Sequence, residues 1–240
     1  RKARLMDAFQ RTAQKDPAPI VSAFAKMLLG KDLDTANQML AEELAKSSDG
    51  NTWSLLHTPL YCRFYYMFSG RNGKFPGRLT PETEALLLAT LWQRTAVKND
   101  IHWARQSTWW LDGSENHDLN AKASNLVTSR IFMDEPDYAD RIYPDHGFGG
   151  SYHYGHAGYY GPGVDIASRH GGGRANLSDG KEYNARDHYG AWLAFMKNYF
   201  RERARRGFFL EYGSPSYTKH TLNPVDLAYQ YGGDEELHQL

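Results

Sequence analysis

Apolar residues recur at helical spacing in segment after segment of this 240-residue chain, and strand-like alternation is almost absent. That pattern limits the fold more than any single motif does. Residues 3–14 and 18–29 read as two short helices broken at Asp16-Pro17, and Gly30 ends the second. Leu33 to Lys46 reads as a third, with Ala36, Met39, Leu40 and Leu44 inward. After a Ser-Ser-Asp-Gly-Asn turn comes an aromatic helix from about Pro59 to Phe68. Thr80-Pro81-Glu82 is a helix start, a cap followed by proline at the first position, and it launches Thr83 to Val97. Further helices are expected from about Asn116 to Phe132, from about Asn184 to Arg206 with Trp192, Phe195 and Tyr199 on one stripe, and from Asn223-Pro224 onward. Helices paired by short loops define an all-α class of αα-hairpins, read as a single domain over 1–240. No fixed-period repeat supports a standard helical solenoid.

The stretch Ser107 to Asn120 holds the first candidate chemistry. Asp112-Gly113 closes a turn, Ser114 is a good N-cap, and Glu115 suits a positive first turn. Leu119, Ala123, Leu126 and Val127 then follow at helical spacing. Asn116 and His117 are thereby expected in the first turn, projecting past the helix end, with Trp109 and Trp110 just before them. An amide and an imidazole held beside indole rings fit a sugar-handling site. A plain capped helix with two exposed polar residues fits the same stretch.

Aromatic residues make up 14% of the chain, with 16 Tyr and 6 Trp, more than a helical core ordinarily uses. Rings lining a carbohydrate cleft would absorb that surplus by stacking on apolar sugar faces. The segment Asp145 to Gly180 carries 11 of the 22 glycines and four of the ten histidines, among them His153 and His156 beside Tyr159 and Tyr160. So long a stretch without a periodic pattern is functional or disordered as a rule, and its many aromatics argue for an ordered loop over a cleft.

The third cluster runs from Arg201 to Tyr217. Arginines at a helix C-terminus complement the macrodipole, and the same guanidiniums can grip carboxylates bidentately. Gly207 ends that helix, and Ser214-Pro215 fixes a turn that aims Tyr217 beyond it.

Formal charge is zero, 28 basic against 28 acidic residues, so no electrostatic footprint for nucleic acid is present. The single cysteine, Cys62, rules out an intramolecular disulfide and sits in an aromatic run as an expected core thiol. No apolar run approaches the ~20 residues of a membrane span. The chain opens at Arg1 without methionine and reads as a processed or trimmed piece of something longer.

Ser114-Glu-Asn-His117, then Gly207-Phe-Phe-Leu-Glu-Tyr-Gly-Ser-Pro-Ser-Tyr217 and Thr221-Leu-Asn-Pro-Val-Asp-Leu, resemble the α/α-toroid polysaccharide lyases. These are the alginate-lyase, heparinase and chondroitin-lyase-like helical barrels, and the similarity spans about residues 100–235. The resemblance implies an (α/α) toroid, or an incomplete one, since eight helices fall short of a full ring of hairpins. It implies β-elimination on a uronic-acid polymer, alginate or glucuronan-like, with no cofactor and no metal, in a secreted or periplasmic setting. In such lyases an Asn neutralises the uronate carboxylate, a His or Tyr removes the C5 proton, and a Tyr protonates the leaving oxygen. The roles fall on Asn116, His117 and Tyr217, with Arg205 or Arg206 as supporting cation. Some members place His and Tyr in a Gly-rich loop, which makes His156 an alternative base. Trp109, Trp110, Glu115, His153, Tyr159, Tyr160, Arg205, Glu211 and Tyr212 are the implied substrate contacts.

These residue types suit the chemistry. Removing a proton alpha to a carboxylate builds negative charge on the carboxyl oxygens, which a fixed amide donor stabilises. A histidine of pKa about 6.5 serves as base at neutral pH, and a tyrosine of pKa about 10 can donate to an alkoxide. Three other readings stay open. An α/α-barrel glycoside hydrolase could use Glu115, Asp118 and Glu211. A metal site could form from His153 and His156 with Asp145 or Asp165. A non-catalytic glycan-binding protein needs only the aromatic loop.

Overall fold

The computed structural model describes residues 2–15, 18–46, 57–96, 101–105, 108, 115–144, 179–207 and 213–240. Every regular element among them is helical, as the periodicity requires. The chain divides into two compact units, one of Arg1–Asn51 with Leu60–Leu91, the other of Thr52–Pro59 with Trp92–Leu240.

The first unit holds α1 (Lys2–Lys15), α2 (Pro19–Leu29), α3 (Leu33–Lys46), nearly all of α4 (Thr58–Phe68) and α5 (Pro81–Leu91). Pro19 opens α2 at its first position, and Gly30 closes it in the left-handed region at φ 67°. There the Gly30 N–H donates to the Met27 carbonyl and the Lys31 N–H to that of Lys26. Arg78 adds a guanidinium on the Met27 and Leu28 carbonyls, covering ends that the helix itself leaves unpaired. Thr80 caps α5 by accepting from the Thr83 N–H at 3.2 Å. The core is aromatic: the Phe24 ring meets those of Phe64 and Phe68 edge-on at 5.0 and 5.1 Å. Cys62 is buried there as expected, and burial pushes its thiol up to about 12.

The second unit holds a π-helical turn (Trp92–Ala96), α6 (Ile101–Ala104), α7 (Glu115–Asp134), α8 (Pro136–Ala139), α9 (Ala185–Arg206), α10 (Pro215–Tyr231) and α11 (Glu235–Gln239). The helix expected over Thr83 to Val97 therefore ends at Leu91 and widens into the π turn. In that turn Trp92 packs against Phe132, Tyr138 and Tyr143. A second correction concerns Asn223-Pro224, which opens nothing. Helix α10 begins at Pro215, with Pro224 in its interior. Proline is found at the first position of a helix and, less often, inside one, and a carbonyl partner elsewhere makes the second case tolerable. Helix α9 starts as its sequence dictates, with an Asn184/Asp187 capping box.

Helix α7 packs between α9 and α10, and side-chain bonds define the directions. Asn120 donates to the His220 carbonyl at 2.9 Å and Arg130 to the Tyr231 carbonyl at 2.8 Å. Positions rise together, so α7 and α10 run parallel. Glu115 meets Tyr199 and Arg203, whereas Lys122 lies over the Phe195 ring at 5.1 Å. Positions there run oppositely, so α9 is antiparallel to α7. No helix of the described residues is long and apolar enough to cross a membrane.

Candidate functional site

Those directions gather three helix ends. The start of α7, the last turns of α9 and the start of α10 lie at one end of the second unit. Asn116 and His117, the α9 arginines and Tyr217 come from these ends. Two of these ends are helix N-termini, where the macrodipole is positive.

Helix α7 is buried nearly all round although much of it is polar: Glu115, Asn116, Asp118, Asn120, Lys122, Ser124, Asn125, Thr128 and Ser129 are all buried. A helix can hold such residues inside only if their polar atoms are satisfied. Thr128 and Ser129 donate back to the Ser124 and Asn125 carbonyls at 2.7 Å, and Asn120 to that of Asn116 at 2.7 Å. Lys122 and Asp118 form an i,i+4 ion pair at 3.1 Å with both side chains almost wholly buried. Asn120 Oδ1, Ser124 Oγ and Thr221 Oγ1 are buried with no hydrogen-bond partner among the described residues.

Glu115 is engaged from two directions. Its Oε1 accepts from the Tyr199 hydroxyl at 2.5 Å and from Arg203 Nε at 2.8 Å, with Arg203 Nη2 also at 2.8 Å. The Arg203 guanidinium lies 4.4 Å from the Tyr199 ring centre. Burial, then the Glu115 carboxylate, hold the Tyr199 phenol well above the ordinary tyrosine range, so it stays protonated as a donor. Glu115 thus faces α9, engaged by protein groups. Asn116 is 1% exposed, while His117 is half-buried.

Of the arginines named from the sequence, Arg205 and Arg206 are exposed and lie 3.4 and 3.6 Å from Glu202. Surface pairs of this kind contribute little. Arg203, which that reading passed over, is the buried one. It continues the stripe of Trp192, Phe195 and Tyr199 by four residues, and that signal was legible. Tyr217 stands in the first turn of α10, 51% exposed. Gly207 closes α9 at φ 95°, a conformation that glycine adopts without strain. Trp109, Trp110, His153, His156, Tyr159, Tyr160, Glu211 and Tyr212 lie outside the described residues, as do Asp145 and Asp165.

A second titratable cluster in this unit surrounds His188. Its ring stacks on Tyr143 at 3.9 Å, and burial, then the charges of Arg105 and His102, lower it to about 3. The Tyr183 hydroxyl donates to Asp179 at 2.6 Å, which with His102 and Lys181 nearby keeps that carboxyl below the usual range. The Tyr143 N–H donates to the Tyr183 carbonyl at 2.9 Å. No set of three His, Cys, Asp or Glu side chains that could hold a metal occurs among the described residues.

The first unit has a cleft of about 630 Å³ between α3, α5 and the loop before α5. Its polar groups are spoken for: Asn37 bridges the Leu33 and Arg78 carbonyls and the Thr80 N–H, and Glu84 accepts from the Gly70 N–H. That cleft offers no convergent chemistry. Neither protein-family models, nor curated proteins, nor solved structures give a match to this chain.

Proposed function

We propose that this protein is a polysaccharide lyase that cleaves a uronic-acid polymer, alginate or glucuronan-like, by β-elimination within an α/α-toroid architecture. The carrying observation is the convergence of Asn116, His117, the α9 arginines and Tyr217 at one end of the second unit. In this reading the Asn116 amide binds the uronate carboxylate and stabilises the charge that develops on it. His117 takes the C5 proton, and Tyr217 gives one to the departing glycosidic oxygen. The C4–O bond breaks as the C4–C5 double bond forms, so water is not consumed. His156 remains the alternative base, and the aromatic residues of the Gly-rich segment are assigned to sugar contacts. Such polymers are met outside the cytoplasm, which makes a secreted or periplasmic setting part of the proposal.

The engagement of Glu115 and Asp118, two of the three carboxylates a hydrolase could use, favours elimination over hydrolysis. Glycoside hydrolysis needs two carboxyl groups facing the scissile bond. Glu115 is held by Arg203 and Tyr199, and Asp118 by Lys122, all within the protein. The experiment is a screen of alginate, glucuronan, heparin-like and chondroitin-like polymers for near-ultraviolet absorbance. An unsaturated uronate end absorbs there, and one responsive polymer is expected. Polymer that is bound but uncut, or cut without that absorbance, would refute the reading.

A further inference from the structure

We infer that Arg203, acting through Glu115, is the positioning residue that fixes Asn116 and His117, a role that rests on the elimination reading above. Buried ion pairs are poor sources of stability. Taking both charges out of water costs several kcal/mol per ion, and apolar replacement is often neutral or better. Glu115 and Arg203 are nonetheless enclosed together, at 0% and 6% side-chain exposure. What the pair secures is geometry.

Glu115 is the first residue of α7 and is peptide-bonded to Asn116. Two guanidinium nitrogens at 2.8 Å and one phenol at 2.5 Å converge on a single oxygen, Glu115 Oε1. They tie the first turn of α7 to the last two turns of α9. One turn on, Asn120 grips the Asn116 carbonyl and the His220 carbonyl of α10. Asn116 is therefore braced from both neighbouring helices. Arg205 and Arg206 are exposed and lie beside Glu202. The planar fork of arginine suits this clamp, and a lysine point charge does not reproduce it.

The test uses the full chain with Glu115→Gln and Arg203→Met combined, so that neither charge is left buried alone. Three readouts are expected. Tm stays near that of the wild type. Turnover on the responsive polymer falls about 10²-fold with KM changed less than about threefold, as for a small misplacement of reacting groups. In NMR spectra the Asn116 side-chain amide and His117 imidazole signals shift and broaden. Arg203→Lys should recover part of both effects. A folded double variant with unmoved signals and unchanged turnover overturns the inference. So does the failure of both variants to fold, because the pair is then only a fold element. If the wild type yields no unsaturated product from any polymer, the proposed function fails instead. The two NMR signals then decide the clamp alone: moved signals support it and unmoved ones overturn it.

Discussion

Asn116 occupies the second position of α7, where a polar side chain ordinarily reaches water, yet it is 1% exposed. From the sequence, its loss is expected to leave folding intact. Burial changes that: Asn116→Ala should cost about 1–3 kcal/mol in urea denaturation, besides any loss of turnover. Thr221 shows the opposite sign. Its hydroxyl is buried without a hydrogen-bond partner among the described residues, so Thr221→Val removes a polar group that gains nothing inside. Stability should rise by about 1 kcal/mol and Tm by about 2–4 °C in calorimetry. A fall in Tm would mean that the hydroxyl is satisfied. His188 gives a pH dependence with a definite sign. Its folded pKa of about 3 lies below the unfolded value of about 6.5, so between these values the unfolded chain binds the extra proton. The contribution is fully present above about pH 6.5 and is lost as pH falls toward 3, at up to about 1.4 kcal/mol per unit. His188→Phe keeps a ring against Tyr143 and should flatten the stability profile between pH 6.5 and 5 relative to the wild type.

At the scale of elements, Pro224 and Asn120 form one device. Pro224 has no N–H, so the His220 carbonyl four residues earlier loses its helical donor. Asn120 of α7 supplies the missing bond at 2.9 Å and, with Arg130 on Tyr231, sets the register of the parallel pair. Asn120→Ala should therefore cost about 1 kcal/mol less in a Pro224→Ala background, where the helix can satisfy its own carbonyl, and a double-mutant cycle measures the difference. Additive costs would separate the two residues. This device explains why the start of α10 was misread. Both Ser214-Pro215 and Asn223-Pro224 carry start signals, and only a partner about 100 positions away distinguishes an interior proline. Elements set by local chemistry were legible: the Gly30 stop, the Thr80-Pro81 start and the helix from about Asn184 to Arg206 agree with the structure. The burial of α7 was not legible, because its polar residues mimic a surface helix, and several find their partners in α9, α10 and their own backbone.

Across the second unit, the polarity of the helices matters more than any one residue. Parallel α7 and α10 with antiparallel α9 bring Asn116, His117, Arg203 and Tyr217 to one end, though they span about 100 positions of sequence. Sequence reading named Asn116, His117 and Tyr217 from their motifs. Arg205 and Arg206 belong to the same basic run, and only the inward stripe of α9 marks Arg203 as its buried member. In the proposed elimination the amide, imidazole and phenol come from Asn116, His117 and Tyr217, while Arg203 is committed to Glu115 and Lys122 to Asp118. Elimination and hydrolysis differ in the fate of one water molecule, and cleavage of the responsive polymer in ¹⁸O-labelled water, read by mass spectrometry, separates them directly. The account predicts products with a new end lighter by one water and no ¹⁸O incorporated; one ¹⁸O gained per cut, on one of its two products, with no lighter end would contradict it.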